Sequence, residues 1–229
     1  MSYTEDFNTW KEEIETLPKK DVKLPNQPID ECTASAETLA TEANKDRDAL
    51  AEAGLDVTFI DDLIPLAGAL RYCQAEWMSE YRARQAAQKE WLEQSPKAYE
   101  LRDELLHHFS FAYRDESDLK KKVMRIREGG GHSDMIQDLV ELASLGEKNP
   151  EPLTKISFDV ATLQTARSTS HHMSELLADS NGSKDESSTN KVMRDKAFTL
   201  LYNRMIEIRE CGRYVFWKND ERRVKYLVS

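Results

Sequence analysis

KAFTLLYNRMIEIRECGRYVFW, residues 196–217, sets Phe198, Leu201, Met205, Ile208, Gly212 and Val215 at alternating steps of three and four. That period places all six on one helix face, and the 3-4 alternation suits side-by-side packing in a left-handed bundle. An aromatic cluster, Tyr214, Phe216 and Trp217, ends the stretch, and Arg222, Arg223 and Lys225 follow it. Asn219 or Asp220 is placed to cap a short C-terminal helix.

Working outward, a faint copy of this arrangement lies 103 residues earlier. Phe111-Ala112-Tyr113 falls on Tyr214-Val215-Phe216, Tyr99 on Tyr202 and Glu104 on Glu207. Further back, Leu39-Ala40 falls on Leu142-Ala143, Lys45 on Lys148, Leu50 on Leu153 and Asp56-Val57 on Asp159-Val160. Both aromatic clusters lead through a polar turn into basic residues, Lys120, Lys121, Lys122, Arg125 and Arg127 in the first. Fixed-period similarity is the mark of repeated architecture. A shift of 99 pairs Lys97-Ala98-Tyr99 with Lys196-Ala197-Phe198 instead, one helical turn away. The alternative is two unrelated helical hairpins that share helix-forming composition.

Composition points the same way. Charged residues make up 32% of the 229, apolar residues 39%, with eight glycines and seven prolines. Such a balance favours helix, and no run of β-branched and aromatic residues reads as a strand. The expected fold is all-α: a helical bundle of two related three-helix units with a short N-terminal helical extension. Residues 1–29 form that extension, with Phe7, Trp10, Ile14 and Leu17 on one face, Thr4 as cap, and a tether through Pro18, Pro25 and Pro28. Residues 30–128 form the first unit, 129–132 a glycine linker and 133–229 the second unit.

Within the first unit, Phe59, Leu63, Leu66, Leu70, Cys73, Trp77 and Tyr81 mark a long helix. Pro65 requires either a cap at Asp61 or Asp62 or a kink. Ser95-Pro96 is expected to end this helix and open the next. A short basic helix is expected over Asp118–Arg127. In the second unit, Ile156, Val160, Leu163, Met173 and Leu177 mark a helix whose polar middle, Thr165 to Ser170, predicts thin core contact. Residues 179–190 read as a flexible loop by composition.

The formal net charge of −10 argues against nucleic acid as a partner, because phosphate binding needs a basic surface. No stretch approaches the roughly 20 apolar residues of a membrane span. MSYTEDFNTW lacks the basic start and apolar run of a signal peptide. Cys32, Cys73 and Cys211 are scattered and odd in number, which suits reduced, mostly buried thiols. A cytoplasmic location is expected.

Glu104-Leu105-Leu106-His107 has the E-x-x-H spacing of two-metal bundles, and Glu207-x-x-Glu210 answers it 103 residues later. At about 100° per residue, however, His107 falls opposite Leu101, Leu105 and Phe109, so the ligands face water. Adjacent residues in His107-His108 and His171-His172 diverge along a helix and do not chelate by adjacency. GGGH at 129–132 lacks the strand and the Lys of a phosphate loop. No catalytic, cofactor or metal residue is assigned, and no cofactor is expected.

Lys120, Lys121, Lys122, Arg125, Arg222, Arg223, Lys225 and Trp217 are the candidate partner-binding residues, suited to an acidic protein partner. The plainer account weighs more: cations complement helix C-termini, and aromatics seal the bundle's end. The function expected is a non-enzymatic protein-interaction or structural module. The alternative is a metal-dependent helical-bundle enzyme using Glu104 and histidines.

Overall fold

Ser2 starts the first helix, α1 (Tyr3–Thr16): its hydroxyl accepts from the Glu5 N–H at 3.3 Å, and Glu5 reaches back to the Ser2 N–H at 2.7 Å. This reciprocal box satisfies two helix-end donors, so Thr4 lies inside the helix and is not its cap. The computed structural model describes residues 2–181 and 188–227. Within them the protein is all-α, without strands.

The helices that follow are α2 (Ile29–Lys45), α3 (Arg47–Glu52), α4 (Thr58–Ala112), α5 (Ser117–Ile126) and α6 (His132–Lys148). Then come α7 (Pro150–Lys155), α8 (Ala161–Asn181), α9 (Thr189–Val215) and α10 (Asp220–Arg223). The expected loop at 179–190 is helical at its two ends, and its centre, 182–187, lies outside the described residues.

Two compact units divide the chain: Met1–Tyr81 with Glu186–Ser229, and Arg82–Asp185. They are not the sequential segments 30–128 and 133–229, and residues 129–132 lie inside the second unit. Helix bounds nonetheless recur at one spacing. The starts 29 and 132, 47 and 150, 58 and 161, and 117 and 220 each differ by 103, as do the ends 45 and 148, 52 and 155, and 112 and 215.

The first unit packs Leu39, Leu50, Leu63, Leu66 and Leu70 against Phe198, Leu201, Met205 and Ile208 of α9. Most of these side chains are wholly buried, each contributing roughly 1.5–3 kcal/mol by leaving water. Val215, on the same stripe, is half-buried. The extension docks here: Ile14 is fully buried, and Phe7 stacks on Tyr72 at 4.6 Å. The tether is held by the Lys23 N–H, which donates to Thr199 Oγ1 at 2.9 Å.

The second unit joins residues of α4 beyond Tyr81 to α5, α6, α7 and α8. Trp91, Ala98, Leu105 and Phe109 of α4 face Met135, Leu139, Leu142 and Leu163.

Four expectations are corrected. The cap of α4 is Asp56, whose carboxylate accepts from the Thr58 N–H at 3.0 Å; Pro65 therefore sits two turns inside the helix. Ser95-Pro96 does not break α4 either. Ala87, Trp91, Ala98, Leu105 and Phe109 keep one helical phase across it, all buried, and their packing outweighs the roughly 3 kcal/mol of an interior proline. Val160 is 52% exposed, because it belongs to the helix start, where Asp159 accepts from the Ala161 N–H at 2.9 Å.

The polar middle of α8, finally, packs closely on α6. Ala166 is fully buried, and Ser170 Oγ donates to the Ile136 carbonyl at 2.7 Å. Small side chains let the helices approach, and the backbone acceptor satisfies the buried hydroxyl.

Candidate partner-binding groove

Helix α5 is strongly two-faced. Leu119, Val123 and Ile126 are buried, while Lys120, Lys121, Lys122 and Arg125 are exposed. None of the ion pairs among the described residues engages these four cations. Between α5 and α6 lies a groove of about 500 Å³, lined by Lys122, Arg125, Gln137, Glu141, Ser144 and Lys148 among others. Three cations thus face one carboxylate, Glu141, which accepts a hydrogen bond from Gln137 Nε2 at 2.7 Å. The apolar floor includes Ile126, Val140 and Leu145.

Tyr113 anchors this end of the unit. It is fully buried, and its hydroxyl donates to the Asn149 carbonyl at 3.0 Å. Burial pushes its phenol up to about 12, so it serves as a neutral donor. Arg127 is tied to Ser110 Oγ at 3.1 Å.

In the first unit the corresponding segment is built differently. Arg222 lies against Glu42 and Asp46, donating to Glu42 Oε2 at 2.9 Å and through Nε to Asp46 Oδ2 at 3.1 Å. Hydrogen bonds from Lys45 and Arg222 hold the Glu42 carboxyl below its ordinary range. Tyr226, fully buried, donates to Asp46 Oδ2 at 2.6 Å. Arg222 is therefore committed to internal pairing. The positions 103 earlier than Arg222 and 103 later than Glu42 hold Leu119 and Leu145, both buried in the second unit. One unit closes this contact with charges, the other with apolar side chains.

No match to a protein-family model, a curated protein or a solved structure is found. The site must be read from its geometry.

Of the eight candidate residues, Lys122 and Arg125 line the groove, whereas Lys120 and Lys121 are exposed on α5 outside its lining. Arg223 pairs with Asp220 at 2.7 Å, and Lys225 is exposed. Trp217 is 65% exposed with Lys218 above its ring at 4.5 Å, and Tyr214 is 73% exposed. These two do not seal the bundle's end; Tyr113 and Tyr226 do. Lys148 was missed as a site residue. Its signal is the stripe Gln137, Glu141, Ser144 and Lys148, spaced four, three and four beside the apolar face of α6.

Glu104, His107 and His108 are exposed. Among the described residues no three His, Cys, Asp or Glu side chains converge as a metal site. No described helix is long and apolar enough to cross a membrane. Cys32 and Cys73 are buried, and burial pushes the Cys73 thiol up to about 12.

Proposed function

We propose that the protein is a non-enzymatic interaction module whose α5–α6 groove receives an acidic segment of a protein partner. One observation carries this reading: Lys120, Lys121, Lys122 and Arg125 are exposed cations that none of the ion pairs among the described residues engages, on a chain whose formal net charge is −10. Local positive potential on an acidic protein steers and orients an anionic partner. The apolar floor adds area that a single charged contact lacks.

The recurring helix bounds support a second element of the reading, a duplicated unit. On that account, each compact unit takes three helices from one copy and the closing pair from the other. Thus α2, α3 and the start of α4 are completed by α9 and α10, while α6, α7 and α8 are completed by the end of α4 and α5. After duplication, one closing helix keeps a core ion pair through Arg222, and the other is free to carry the groove.

The test is fluorescence anisotropy of a labelled oligoglutamate peptide titrated with the full chain. Binding should weaken steeply with salt and be lost in the charge-reversed variant Lys122→Glu/Arg125→Glu. Arg223→Glu, in the first unit, should bind as the parent does. Absence of binding at low salt, or equal binding by the charge-reversed variant, overturns the reading.

A further inference from the structure

Arg209 lies on the buried face of α9 and is 7% exposed. Its Nη2 donates to Ser35 Oγ at 2.8 Å, and its Nε is buried without a hydrogen-bond partner. No carboxylate among the described residues forms an ion pair with it. A buried cation without a counter-charge is among the costliest arrangements in a protein interior. The position 103 residues earlier, on the corresponding stretch of α4, is Leu106, buried at 4% exposure.

Arg209 helps line a cavity of about 160 Å³ within the first unit. Arg209 and Arg213 line it together with Asn26, Gln27 and Tyr202. Glu210 also lines it and is exposed, whereas Arg209 is buried. Two guanidinium groups with neutral amide and phenol donors match the oxygens of an anion. The cavity is of a size for a small group such as a phosphate or a carboxylate head.

We propose that this cavity binds a small oxyanion, a phosphate or a carboxylate, with Arg209 as the buried anchor and Arg213 at its mouth. The anion supplies the counter-charge that Arg209 lacks and joins the tether at Asn26 and Gln27 to α9. It is a site separate from the α5–α6 groove and does not rest on it.

The experiment is calorimetric titration of the full chain with sodium phosphate and, in a second arm, sodium acetate, with sodium chloride matched for ionic strength. Thermal unfolding is followed in parallel. Saturable binding of phosphate or acetate, with a rise in Tm that chloride does not reproduce, is expected. Arg209→Met should abolish it, and Arg213→Gln should weaken it about tenfold, the scale of one charge-assisted hydrogen bond. A response to neither anion overturns the proposal, as does binding undiminished in Arg209→Met. Should Arg209→Met fail to fold, Arg213→Gln decides alone, and unchanged affinity there overturns the site.

Discussion

Gly54 and Ser157, 103 residues apart, hold the same left-handed backbone after a short helix, with φ of +93° and +58°. Each donates its N–H three residues back, Gly54 to Ala51 at 2.9 Å and Ser157 to Thr154 at 3.0 Å. The residue after each, Leu55 or Phe158, donates five back to Leu50 or Leu153 at 3.1 Å. This paired closure ends α3 and α7 alike. Glycine adopts the conformation freely, whereas serine is held there against its preference. Ser157→Gly should therefore stabilise the protein by about 0.5–1 kcal/mol, and Gly54→Ser should destabilise it by about 1 kcal/mol. A Cβ on Gly54 meets nothing within 4 Å, so the cost there is backbone alone. Urea unfolding midpoints measure both. A Ser157→Gly variant less stable than the parent would show that the serine side chain, not the backbone, sets the balance.

Tyr226 closes the first unit because Gly212 leaves room for it. A Cβ on Gly212 would overlap the Tyr226 ring, and that ring stacks on Phe216 at 5.7 Å. Gly212→Ala would gain about 1 kcal/mol of helix propensity, yet overpacking should leave it roughly 1–3 kcal/mol less stable. The pairing is tested by a double-mutant cycle. In a Tyr226→Ala background the same glycine substitution should be neutral or stabilising, because the ring it strikes is gone. Equal destabilisation in both backgrounds would place the clash elsewhere.

How much of this was legible in the sequence depended on whether the signal was local. The face Leu201, Met205 and Ile208 announced itself, since a 3-4 alternation has one reading and all three are fully buried. The basic face of α5 was equally plain. Pro96 misled because its local rule is real, while the stripe from Ala87 to Phe109 that overrides it becomes visible only in phase across the proline. Trp217 and Tyr214 misled for the opposite reason: aromatic character suggests burial, but the helix turns them outward. Tyr226 sits in a 3-10 turn, Val224–Tyr226, where no apolar period marks it. Which helices complete which unit is a non-local choice, and no single stretch of the chain encodes it.

Asp138 supplies a pH test of the second unit. It is 6% exposed on α6, its Oδ2 has no hydrogen-bond partner, and Arg102 Nη1 stands 3.6 Å away. Arg102 is also held by Asp103 at 2.8 Å, and Asp134 and Glu141 add like charge on the same helix. Burial pushes the Asp138 carboxyl up to about 6 against the pull of Arg102. Its folded value thus lies above the unfolded one of about 3.9. The folded chain binds more protons between these values, so this group's contribution to stability falls as pH rises through that window. Asp138→Asn cannot ionise and should escape the loss. Near pH 7 the variant should be more stable than the parent by roughly 1–3 kcal/mol, and near pH 4 the two should converge. Arg102 keeps Asp103 in either case. Denaturant midpoints at the two pH values decide it: a variant less stable at neutral pH would mean that the Arg102 attraction outweighs the burial of Asp138.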